Sequence, residues 1–209
     1  VGVGTATPLK PLHIQGSSEA DIFLRRTDLT NKAWLFNVQS STGDLNIKSR
    51  NDDASAVGTQ MIIAHDGYVT MPNQPAFLAQ ASDVDNMGDN TTIVFGTERF
   101  DQNGDFASNT FTAPVTGRYL LSFRGRVDNI DSAASWVRIE IITSNRTYKS
   151  SIIDPGVFSG DADYWSLSQT VLADMDAGDT SYIQFGKSGG AAQADLIGTD
   201  SYFSGFLAC

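Results

Sequence analysis

Gly186-Lys187-Ser188-Gly189-Gly190 is the stretch of this sequence that most resembles a reactive centre. A G-x-S-x-G pattern after a strand-like run is what lifts a nucleophilic serine above a sheet in hydrolases, provided a histidine later in the chain takes its proton. His13 and His65 are the two histidines and both precede Ser188, so the expectation is a flexible glycine loop between two strands. The same Gly-Lys-Ser lacks the earlier glycine of a phosphate-cradling loop, position 181 being Ser181. The histidines sit far apart in the sequence, without ligand spacing, and read as polar strand residues.

The acidic clusters offer oxygen ligands. Asp101-Gln102-Asn103-Gly104-Asp105 alternates them as a calcium loop would, but Thr112 stands where the bidentate glutamate belongs. A turn with an Asn-Gly corner is the better reading. Asp128-Asn129-Ile130-Asp131 and Asp161-Ala162-Asp163 fall in expected loops, which makes Asp128, Asp131, Asp161 and Asp163 the candidate ligands for calcium, against the alternative of solvated loop carboxylates. Among the aromatics, Trp136 and Tyr202 lie in strand patterns and are expected to pack. Tyr148, Tyr164 and Trp165 lie in or beside loops, where flat rings suit stacking on sugars or low-entropy contact with a receptor. A glycosidase pair of carboxylates is defined by its separation in space, and a domain of ~130 residues has little room for a long polysaccharide groove. No catalytic residue is expected.

These residues must be positioned by strands. Arg118–Arg124, Trp136–Ile142 and Ser181–Phe185 alternate with period two and are rich in aromatic and β-branched types, with Asn103-Gly104, Thr116-Gly117, Asp154-Pro155-Gly156 and Ala177-Gly178-Asp179 as turns between such runs. An all-β sandwich follows for the second half. Residues 1–72 carry shorter strands, Leu12–Ile14, Ile22–Leu24, Trp34–Val38, Leu45–Ile47, Met61–Ile63 and Tyr68–Met71, whose apolar set is too sparse to fill a monomer's core. A core shared between chains is the physical solution. Met71-Pro72-Asn73-Gln74-Pro75 breaks the pattern, so residues 73–75 read as a linker between a module at 1–72 and a domain at 76–209.

Composition sets the outer limits. The 209 residues hold 14 Lys+Arg and 24 Asp+Glu, a formal charge of 14 − 24 = −10, which argues against binding nucleic acid. There is no apolar run of membrane-spanning length, and Cys209 is the single cysteine, so no intrachain disulfide framework is expected. The missing initiator methionine suggests a piece of something longer.

From Ala76 onward the sequence resembles the complement 1q and tumour necrosis factor family of jelly rolls. The resemblance is carried by Pro75–Ala79, Phe100–Phe106, Phe111-Thr112-Ala113-Pro114-Val115-Thr116-Gly117-Arg118-Tyr119-Leu120-Leu121-Ser122-Phe123, the Leu172–Asp179 turn and Ser201-Tyr202-Phe203-Ser204-Gly205-Phe206-Leu207. It implies a ten-stranded jelly roll associating as a homotrimer about a three-fold axis, with Phe111, Tyr119, Leu121 and Phe123 inward and Phe203 and Phe206 beside them. Its loops near a trimer apex could bind calcium, as in some relatives. Upstream, Val1–Ile14 and Asp66–Pro72 resemble modules common in bacteriophage tail fibres and related trimeric surface fibres, which implies an intertwined β shaft. Together they give an expectation: a non-enzymatic, extracellular homotrimeric fibre tip on a virion, joined to an upstream remainder of the fibre. Its head would attach to a host-cell surface receptor, a glycan or outer-membrane component, through outer-end loops at Asp128–Ser135, Ser144–Tyr148, Asp154–Tyr164 and Ser188–Thr199. The competing readings are a structural trimerisation cap or capsid decoration, and a polysaccharide depolymerase.

Overall fold

The computed structural model describes residues 2, 3 and 5–209; Val1 and Gly4, both part of the fibre-like opening motif, lie outside the described residues. The chain divides into two compact units, Val1–Asn73 and Gln74–Cys209.

In the first unit, β1 (Gly2–Val3) and β2 (His13–Ile14) make a short parallel pair. The strands β3 (Ala20–Arg25), β4 (Ala33–Val38), β5 (Leu45–Arg50), β6 (Ala56–Ile63) and β7 (Val69–Thr70) form an antiparallel meander in chain order. Gly43 and Gly67 turn two of its corners at φ +77° and +104°, a region that side chains disfavour. Asp44 braces both, accepting from the Thr42 hydroxyl and from the His65 amide. Register puts Ile22, Leu24, Trp34, Phe36, Val38 and Ile47 on one side of this sheet, while Asp21, Asn37, Asn46 and Lys48 share the other. On the polar side Asn37 donates to Asp21 at 2.6 Å and accepts from the Lys48 ammonium at 2.7 Å.

The second unit contains β8 (Ala76–Ala81), β9 (Val84–Met87), β10 (Thr91–Thr92), β11 (Phe95–Asp101), β12 (Phe106–Ala107), β13 (Thr110–Thr112), β14 (Gly117–Asp128), β15 (Ala134–Thr143), β16 (Thr147–Lys149), β17 (Trp165–Met175), β18 (Thr180–Gly189) and β19 (Ala194–Leu207). They form two sheets, β11-β8-β19-β14-β17 with β9 on β19, and β12-β13-β18-β15-β16 with β10 on β18. The alternation of β14 is what builds the core. Tyr119, Leu121, Phe123 and Val127 are fully buried, and the intervening Arg118, Leu120, Ser122 and Arg124 face outward. Phe77 stacks on Phe106 and on Phe111, both with ring centroids 4.9 Å apart, and meets Phe203 edge-on at 5.0 Å. A Cβ on Gly205 would lie 2.7 Å from both the Phe77 ring and Leu121, so glycine is what lets β19 approach this cluster.

The expectation for Phe206 is overturned. Phe203 is wholly buried, but Phe206 is 46% exposed, because positions three apart on a strand point to opposite faces. The glycine stretch at 186–190 is also not a loop throughout, since β18 runs to Gly189. Lys187 is buried, and its ammonium donates to the carbonyls of Gly189, Gly190 and Ala191 at 2.6, 3.1 and 2.8 Å, clamping the turn into β19. The Asp101–Asp105 segment is a turn filled by one carboxylate: Asp101 accepts from the amides of Gly104, Asp105 and Phe106, with Gly104 at φ +75°.

Candidate functional site at the apex of the second unit

β14 ends, β15 and β17 begin, β18 ends and β19 begins at one pole of the sandwich. Three connections therefore meet there, Asn129–Ala133, Ser150–Tyr164 and Gly190–Gln193. Ser144–Tyr148 does not join them, which corrects its placement among the outer-end loops. β15 separates it from Ala134 by ten residues, about 30 Å of strand. It lies at the opposite pole, where Asn145 and Arg146 bond Asp179 and Asp174 and Ala76 pairs with Phe206. An open cleft of about 300 Å³ at that pole is lined by Thr116, Arg118, Asn145, Asp174, Asp176 and Cys209 among others.

The apex is knitted by its own aspartates. Asp161 accepts from the backbone amide and hydroxyl of Ser132 and from the side-chain Nε2 of Gln193, and these bonds, the Ser132 backbone amide first, hold its carboxyl below the usual range. Asp163 accepts from the Asn129 amide at 2.8 Å. Asp131 takes the amides of Ala133 and Ala191. Asp128 accepts from the Arg126 guanidinium and from the Tyr164 amide; the guanidinium bond is the main cause of its lowered pKa. Among the described residues no three His, Cys, Asp or Glu side chains are gathered as a metal ion requires. The carboxylates proposed for calcium are engaged with loop amides and a guanidinium instead.

The three aromatic candidates separate. Trp165 is half-buried, packs against the core and meets the Phe158 ring at 5.0 Å. Tyr148 also packs on the core, with its hydroxyl 3.3 Å from Asp174 at the opposite pole. Only Tyr164 presents its ring, 77% exposed. Its backbone is at φ +59°, uncommon for a bulky residue and costly to hold.

Two residues that the sequence reading missed complete this spot. The Arg126 guanidinium lies 4.3 Å from the centroid of the Tyr164 ring, pairs with Asp128, and reaches Asp200 at 3.2 Å. Asp200 arrives through a bulge: Arg124 pairs with Tyr202, but Arg126 pairs with Ile197, so the intervening residues of β19 bow out. Ser201 pins the bulge, donating to the Ile197 carbonyl and accepting from the Arg126 amide. Arg126-Val127-Asp128 does carry a signal, a cation and an anion two apart on one strand face. The bulge leaves none.

The exposed Tyr164 ring, backed by the Arg126 cation, thus offers a flat apolar face beside a fixed charge at one end of a β-sandwich. The class is a two-sheet jelly roll of the complement 1q and tumour necrosis factor type. A family model described as the C1q domain matches residues 76–208, and the chain belongs to that family. Similar solved structures include the globular domain of zebrafish complement 1qA, at 18% identity and TM-score 0.48 over 66% of this chain and 98% of that one. Murine APRIL at pH 8.0 is similar at 10% identity and TM-score 0.46, over 65% and 99%. No curated protein matches the chain.

Proposed function

We propose that this chain is the non-enzymatic tip of a homotrimeric bacteriophage tail fibre, outside the cell, whose C1q-type head attaches the virion to a glycan or outer-membrane component of its host. The observation that carries attachment is Tyr164, a large ring held outward in an unfavourable backbone conformation by the Asp128 carboxylate and by Arg126. Strain of this kind is retained where surrounding structure enforces it, and clusters at functional sites. Self-association is supported by membership of a family whose domains commonly form homotrimers. It is supported also by an outward apolar row across the sheet, Leu172 on β17, Leu120 on β14 and Phe206 on β19, adjacent in register, with Leu172 and Phe206 53% and 46% exposed.

The test is binding of the labelled full chain, verified as a trimer by light scattering, to a panel of bacterial strains. Saturable, strain-selective binding that is lost in a Tyr164→Asn variant supports the reading. A verified trimer that binds no strain favours a structural cap, and shortening of purified host polysaccharide by the chain would make it a depolymerase.

A further inference from the structure

Burial along β4 alternates in the sense opposite to that of a free sheet. Ala33, Leu35 and Asn37 are buried, while Trp34 and Val38 are 46% and 43% exposed. The same side of the sheet carries Ile22 and Leu24 on β3, Ile63 on β6 and Val69 on β7, each also exposed. The charged side chains of β3 and β5, Asp21, Arg25, Lys48 and Arg50, all alternate to the other side. On that other side Asp21, Asn37 and Lys48 bond one another, and Phe23, the one large apolar residue of β3 there, is 39% exposed. Among the described residues the buried apolar cluster lies wholly in the second unit, and the first unit's buried apolar side chains are Ala33 and Leu35, both on its polar side.

A single sheet must bury its apolar face against something. Five strands ~4.8 Å apart and three alternating rows deep give a flat footprint on the order of 400 Å². Side-chain relief brings it toward the ~800 Å² that each partner in a stable complex buries, beyond what monomers usually expose. An uncharged face needs no complementary charge, so copies of it can meet about a closed rotation axis without like charges opposing one another. Because the unit has no apolar core without its cover, the partner must be permanently at hand, which a copy of the same chain is: chains joined through their heads hold this face at millimolar effective concentration.

We infer that the Trp34 face of the first unit is covered by the same face of two further copies of this chain, so that three sheets enclose one apolar core with their Asp21–Asn37–Lys48 sides outward. This rests on the homotrimer reading above, and it adds the surface by which the first units meet.

The test uses the full chain in a Cys209→Ser background, with single cysteines at Leu24→Cys, Val38→Cys and Val69→Cys on the Trp34 face and Thr70→Cys on the other. Mass is measured by light scattering, thiol labelling by maleimide, and interchain disulfides after mild oxidation. The expected result is a trimer in which the three face thiols label at least ~10-fold more slowly than Thr70→Cys, as for groups reached only by local opening, and in which at least one of them forms covalent dimers. A Trp34→Glu change added to Val38→Cys should restore fast labelling while the head keeps the trimer mass. A trimer whose face thiols label as fast as Thr70→Cys overturns this inference and leaves the head's association standing. A trimer with slow thiols and no interchain disulfide at any of the three positions shows a different cover and overturns it too. A monomer overturns both.

Discussion

Arg126 and Tyr164 are placed against each other by two independent departures from regular β-structure, a left-handed residue before β17 and a bulge in β19. The guanidinium sits 4.3 Å from the ring centroid while bonded to Asp128 and Asp200. The bulge also carries Gly198, whose amide donates to Asp83 at 2.8 Å.

Replacing Tyr164 by Asn should therefore separate folding from attachment. Asn tolerates the left-handed region, so the melting temperature should shift by no more than about 2 °C, while binding to a susceptible strain falls at least ~10-fold, as for a central interface aromatic. Calorimetry and a cell-binding isotherm on the same preparation check this. Phe at this position should retain most binding; equal loss with Phe and Asn would place the effect in the hydroxyl instead of the ring.

At Lys187 a large stability effect is expected. Its three carbonyl partners would be left without their donor in a Lys187→Met variant. The expected cost is about 2–3 kcal/mol, read from urea unfolding of the full chain followed by near-ultraviolet circular dichroism. A loss below 0.5 kcal/mol, the scale of ordinary surface substitutions, would show that the clamp is unimportant.

Acid should loosen the apex first. Asp128 and Asp161 both have folded-state pKa values below their ordinary ones, caused chiefly by the Arg126 guanidinium and by the Ser132 amide respectively. Their contribution is complete above the unfolded value of about 4 and is lost as pH falls through the lower folded values. Hydrogen exchange of the Ser132 and Tyr164 amides should accelerate, relative to the β14 core, only below about pH 4, and Asp128→Asn should flatten that dependence for Tyr164.

Asp105 behaves in the opposite sense. Burial first, and the neighbouring Asp101 charge second, raise its pKa, and its Oδ2 is buried without a partner. Stability linked to this group is present when it is protonated and is lost as pH rises through the raised value. Asp105→Asn is expected to raise the melting temperature at pH 7, with the gain over the parent shrinking as pH falls through the raised folded-state value and levelling off once pH reaches the ordinary carboxylate value of about 4. A gain that persisted unchanged at pH 3 would place its origin outside this titration.

Period-two patterning made the jelly roll legible. Tyr119, Leu121 and Phe123 are buried as their alternation implies, because in a half-buried strand the sequence pattern and the burial pattern are one fact. The same rule applied to the closing strand separates Phe203 from Phe206, although the family-like motif suggests treating them together. Tyr164 was legible as a loop aromatic. Asp200, the partner of Arg126, was not, since a bulge shifts register without altering composition, and the Ser144–Tyr148 loop was misplaced because which pole a loop occupies depends on strand direction counted through the whole sheet. The apex aspartates were legible as a cluster, but their bonding was not: a carboxylate that caps a loop amide and one that waits for a cation have the same letter.

The pairing of β8 with β19 has a kinetic consequence. Phe77 and Gly205, or Gln80 and Tyr202, are direct partners although more than a hundred residues of chain separate them. At translation rates of ~5–20 residues per second, β8 spends on the order of ten seconds outside the ribosome before its partner has been made. During that time the Phe77 side of β8 has no sandwich to enter, and the sheet closes only through a long-range contact of the kind that folds slowly. For the head, maturation therefore begins when synthesis of residues 76–207 is finished, and the nascent Ala76–Ala81 segment is the place where a chaperone would have most to protect.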